Sequence, residues 1–113
     1  MAGLEKIILD KQSEESMSIT KEGVVKKDIK AILDTLGAYY FMPSGNGYGR
    51  SAIPDFVGCY KGHFIAIEAK ADNLQATAIQ QRELTRINSH KGLGLCINAE
   101  NIGGLRAILE LLP

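Results

Sequence analysis

The chain has 113 residues, with 13 Lys or Arg against 13 Asp or Glu and two cysteines. That length suits one domain burying roughly two-thirds of its unfolded surface without disulfide or metal staples, and no apolar run approaches the roughly 20 residues that cross a bilayer. A formal net charge of zero argues against a protein that grips nucleic acid by bulk charge alone. The first residues carry neither a secretory nor an import pattern, so a soluble, cytoplasmic protein is expected.

Residues 1–19 hold one short apolar cluster, Leu4, Ile7, Ile8 and Leu9, and then a polar stretch. They read as a weakly ordered arm available to a dimer interface, and residues 20–113 read as the single folded domain. Thr20 caps a helix running to about Leu36, with Val25, Ile29, Ile32, Leu33 and Leu36 at helical spacing and Gly37 as the stop. Ala38 to Met42 is a short aromatic strand ended by Pro43 and a glycine-rich loop. That loop leads into a strand instead of a helix, which sets it apart from dinucleotide-binding loops. Its glycines let the backbone approach a substrate, with Asn46, Tyr48 and Arg50 as polar contacts; the alternative is a surface loop with no ligand.

Two strands follow, about Ile53 to Tyr60 and His63 to Ala69, joined by a hairpin turn at Lys61-Gly62. Ala71 to Ala76 is a loop, and Thr77-x-x-Gln80 is a capping box opening a helix that reaches about His90 and ends at Gly92. Leu93 to Asn98 reads as a fourth strand, and Asn101 caps a last helix burying Leu105, Ile108, Leu109 and Leu112. The order α, β, β, β, α, β, α places a crossover between the third and fourth strands, hence an α/β fold with a mixed four-stranded sheet flanked by helices. Cys59 and Cys96 lie in apolar runs without metal-ligand spacing and suit reduced core thiols. His63 and His90 read as surface or capping residues.

The chemistry concentrates at Pro54-Asp55 and, thirteen residues after Asp55, Glu68-Ala69-Lys70. Alternation along an extended strand points Glu68 and Lys70 to one face and Ile65, Ile67 and Ala69 to the other. The hairpin then brings Asp55 toward Glu68. Charges converging from apolar strands favour function over a salt-bridged sheet edge, because half-buried ion pairs seldom add much stability. Lys26 and Arg82 are among the cations available for phosphates.

These features resemble the PD-(D/E)XK nuclease superfamily with its αβββαβ, restriction-endonuclease-like core, and within it the VRR-NUC (virus-type replication-repair nuclease) domain in the stand-alone form found in phages and bacteria. The resemblance spans about Thr20 to Asn98. It implies a DNA endonuclease dependent on magnesium or manganese, acting on branched DNA as a homodimer in the manner of Holliday-junction resolvases. It also implies Asp55 and Glu68 as acidic metal ligands, the Ala69 carbonyl as a further one, and Lys70 as the motif lysine. Glu22 matches the leading-helix glutamate; its alternative is a charge made favourable by the helix N-terminus. Gln80 matches the family glutamine and lies on the inward helical face with Leu84 and Ile87. Gln81 competes on its distance to Gly92, and completion of the Thr77 cap is the structural alternative for Gln80.

Overall fold

The computed structural model describes residues 20–44 and 52–113; the arm expected over residues 1–19 and the loop residues Asn46, Tyr48 and Arg50 lie outside the described residues. Helix α1 spans Lys21–Leu36 because its ends are chemically closed. The Thr20 hydroxyl accepts from the Gly23 N–H, and Gly37, at φ 72°, turns the chain so that its N–H bonds the carbonyls of Asp34 and Leu33. Val25, Ile29 and Leu33 form the buried stripe.

Strands β1 (Tyr39–Phe41), β2 (Phe56–Tyr60), β3 (His63–Ala69) and β4 (Leu93–Ile97) form one sheet in that order. The β1–β2 and β2–β3 pairs are antiparallel and β3–β4 is parallel. Helix α2 (Ala78–Ser89) makes the crossover, and a 3-10 turn (Ile102–Gly104) leads into α3 (Leu105–Glu110). The mixed sheet flanked by helices is the arrangement that the order of elements predicts.

One sheet face, through Phe56, Ile65, Ile67, Ala69 and Ile97, forms the core with Val25, Ile29 and Leu33 of α1 and Leu105 and Leu109 of α3. On the other face α2 lies against β4. A Cβ on Gly94 would stand 2.9 Å from the Leu84 carbonyl oxygen, so the bare glycine sets how closely the helix approaches. Gly58 plays the same part inside the sheet, where a Cβ would lie 2.0 Å from the Tyr39 carbonyl and 2.7 Å from the Tyr40 Cα. The hairpin at Lys61 (φ 52°) and Gly62 (φ 80°) has positive φ at both residues, as its tight turn requires.

Four expectations are corrected in detail. β2 begins at Phe56 instead of Ile53, since Pro54 has no N–H to give a ladder and the Asp55 side chain takes a strand N–H for itself. Asn101 makes no side-chain cap on a helix; its carboxamide accepts from the Asn98 N–H at 2.8 Å and donates to the Cys96 carbonyl at 3.0 Å, closing the turn after β4. Ile108, expected in the core, is 40% exposed because α3 runs only from Leu105 to Glu110 and turns Leu105 and Leu109 inward. Cys59 is exposed, on the face of β2 opposite Phe56 and Gly58. Cys96 is half-buried, His63 is half-buried and His90 is exposed at the end of α2.

Gly58→Ala is expected to destabilise the domain by about 3 kcal/mol, the upper range for forced overpacking, because the atoms in the way are backbone. Chemical unfolding of both proteins, read by circular dichroism, measures the difference.

Candidate active site

The C-terminal end of β3 is where the two sheet faces deliver their charged residues. Glu68 sits on the α2 face of β3, opposite Cys96 across the parallel ladder, and only 5% of it is exposed. Asp55 stands just before β2 and completes the hairpin pairing with its side chain: its Oδ2 accepts the Ala69 N–H at 2.8 Å. This bond fixes Asp55 against β3 and leaves Oδ1 facing α1. There the Lys26 ammonium approaches Asp55 Oδ1 at 3.5 Å and Glu22 Oε2 at 3.4 Å. Glu22 and Lys26, four residues apart on one helix face, are natural neighbours.

From the other side of the sheet, Gln80 Nε2 donates to Glu68 Oε1 at 3.1 Å. The same side chain completes the α2 cap, its Oε1 accepting the Thr77 N–H at 2.9 Å while the Gln80 N–H bonds the Thr77 hydroxyl at 3.3 Å. Capping and site contact, read from the sequence as alternatives, are therefore both true of Gln80. Gln81 is exposed and donates to the Thr85 hydroxyl at 3.3 Å.

Lys70 follows directly, half-buried, its N–H extending the β3–β4 ladder to the Ile97 carbonyl at 2.9 Å. Its charge acts on Glu68, where it favours ionisation. Burial foremost, then the nearby negative charge of Asp55 and a hydrogen bond with it, push the Glu68 carboxyl up to about 8. Burial pulls the Lys26 ammonium down, but Asp55 and then Glu22 outweigh it and leave its pKa above the ordinary lysine value.

Asp55, Glu68, Lys70, Gln80, Glu22 and Lys26 are thus linked through contacts or charge at one end of the sheet, whereas Arg82 is exposed on α2. Among the described residues no group of three or more His, Cys, Asp or Glu side chains is placed to hold a metal ion; Lys26 pairs with both Glu22 and Asp55. The donor set nevertheless fits a hard divalent cation. Two neighbouring carboxyls, one of them nearly dry and resisting ionisation, gain most from a cation that neutralises both, and magnesium needs only one or two protein carboxylates beside its waters.

Two residues that sequence reasoning missed support this end of the fold. Asn98, 1% exposed, donates to the Leu74 carbonyl at 3.0 Å and accepts from the Glu100 and Asn101 N–H groups. It ties the loop after Lys70 to the turn after β4. Asn88 brackets Gly94 with two bonds of 3.2 and 2.8 Å, holding α2 on β4. An isolated asparagine gives no periodic signal, so neither was legible beforehand.

A mixed sheet in αβββαβ order, with carboxylates and a lysine at the end of its third strand and a glutamine on the next helix, defines the architecture of a nuclease-type domain. The structure is similar to a solved "VRR_NUC domain", with a TM-score of 0.63 and 25% sequence identity over 76% of this chain and 94% of that one. Comparison with protein-family models and with curated proteins found no match. The VRR-NUC resemblance read from the sequence is borne out by this structural likeness.

Glu68 gives the metal-free protein a distinctive pH response. Its folded pKa of about 8 lies above the ordinary 4.5, so between those values the folded state holds a proton that the unfolded state releases. Stability then falls as pH rises through that window. Glu68→Gln is expected to flatten this slope and to be the more stable protein at pH 8, as thermal unfolding in chelator at a series of pH values will show.

Proposed function

We propose that this protein is a metal-dependent DNA endonuclease that hydrolyses phosphodiester bonds in branched or otherwise structured DNA. The observation that carries the reading is the dry Glu68 carboxyl, held by Gln80 and set beside Asp55 where the sheet ends. Such a placement costs stability and makes sense where a cation and a phosphate are to be bound. The likeness to a VRR_NUC domain supports the same class of activity.

Asp55, Glu68, the Ala69 carbonyl and, on release from Lys26, Glu22 would hold magnesium or manganese, which would supply Lewis-acid polarisation of the scissile phosphate and a more acidic water. Asp55 contributes from a position fixed by the Ala69 N–H. Gln80 orients the Glu68 carboxylate, a role that outer hydrogen-bond partners of metal ligands commonly fill. Lys70, as an ammonium, stabilises the negative charge that accumulates on the phosphate in the transition state and orients the attacking water. Arg82, with Asn46, Tyr48 and Arg50, is assigned to the DNA backbone. A homodimer would match a two-fold branched substrate and deliver paired cuts.

Purified protein should cleave junction, flap, duplex or single-stranded DNA in magnesium or manganese and fail in chelator. Asp55→Ala, Glu68→Gln and Lys70→Ala should each lower the single-turnover rate about a hundredfold or more, and Gln80→Ala about ten- to a hundredfold. Equal cleavage by Asp55→Ala would sink the site assignment. Wild-type protein that binds DNA and metal without cutting any of the four substrates would instead favour a non-catalytic binding module or a subunit of a repair assembly.

A further inference from the structure

We propose that Lys26 is a resident counter-cation of this site: its ammonium pairs with the Asp55 oxygen and the Glu22 carboxylate that a divalent ion would use, so that metal and Lys26 bind in competition. The inference rests on reading Asp55 and Glu68 as metal ligands. Asp55 Oδ2 accepts the Ala69 N–H at 2.8 Å, which holds the carboxylate in place. The other oxygen, Oδ1, is the one Lys26 meets at 3.5 Å. Its other partner, Glu22 at 3.4 Å, is the third acidic residue assigned to the site. One ammonium therefore joins two carboxylates from different elements, α1 and the mouth of β2.

The arrangement is loose enough to open. The Lys26 side chain retains 32% of its exposure and Glu22 42%, and a lysine on its flexible four-carbon stem can swing out without disturbing the helix. On metal binding Lys26 would give up Asp55 and turn into solvent beside the site, where its ammonium could meet a substrate phosphate. Metal loading and DNA binding are thereby coupled: each releases or recruits the same ammonium, and the coupling is reciprocal. In the metal-free protein the ammonium partly offsets the two carboxylates it meets. Lys30, one helical turn further on and exposed, is a built-in control for the plain effect of removing a positive charge from α1.

Manganese binding to DNA-free full-length protein, followed by electron paramagnetic resonance, tests this in four proteins: wild type, Lys26→Met, Lys30→Met and Asp55→Ala. Lys26→Met keeps the apolar stem, and equal thermal unfolding in chelator checks its fold. The competition predicts manganese affinity about three- to tenfold tighter for Lys26→Met, the size expected for lost exposed ion pairs, and within about twofold of wild type for Lys30→Met. It further predicts that manganese raises wild-type affinity for a DNA junction more than it raises that of Lys26→Met. Lys26→Met binding manganese no tighter than Lys30→Met overturns the inference while leaving the metal site standing. Asp55→Ala binding manganese as well as wild type removes the metal-site reading itself, and this inference with it.

Discussion

A carboxyl nearly shut off from water at the end of the central strand sets the terms for everything around it. Ionised Glu68 would be costly in that environment, and the neighbouring Asp55 charge makes it costlier still. The surroundings answer from three directions: Gln80 donates from α2, Lys70 contributes positive charge from just past the end of β3, and Lys26 pairs with Asp55 from α1. None of these groups cancels the cost. The fold carries a local electrostatic deficit that a cation would relieve.

Backbone geometry makes the deficit possible. The Asp55 side chain stands in for a ladder acceptor, so the end of β3 stays paired although β2 has not yet begun. The parallel β3–β4 ladder continues past the last strand residue through the Lys70 N–H. Gly94 lets α2 lie close on β4, and the Asn88 bonds to Gly94 keep it there. With α2 so placed, one glutamine both closes the helix terminus and reaches Glu68. Packing and chemistry are therefore coupled through single residues, and a change in the helix cap also changes the site.

Lys26 shows how the pattern of a helix surface can hold functional meaning that the pattern does not announce. Glu22 and Lys26 form an ordinary i, i+4 pair, of the kind that stabilises exposed helices by tenths of a kcal/mol. The pair acquires another meaning once Asp55 arrives from a different element within reach of the same ammonium. On the proposed competition, phosphate binding, the role that composition suggested for Lys26, and pairing with the carboxylates would be two positions of one flexible side chain.

The helices, the hairpin and the crossover were legible in the sequence because each has a local cause: the Thr20 and Thr77 caps, the stop at Gly37, the Lys61-Gly62 turn, and apolar spacing that separates helix from strand. Asp55, Glu68 and Lys70 were legible because alternation along a strand is a short-range rule. The tertiary structure alone set Gln80 against Glu68 and Gln81 against Thr85, moved Asn101 from helix cap to turn, brought Cys59 to the surface and set Lys26 between two carboxylates. Each of those outcomes depends on which element lies opposite at a distance of a few ångströms. Periodicity fixes the face that a side chain occupies, but the partner it meets is fixed only when the sheet and its helices close on one another.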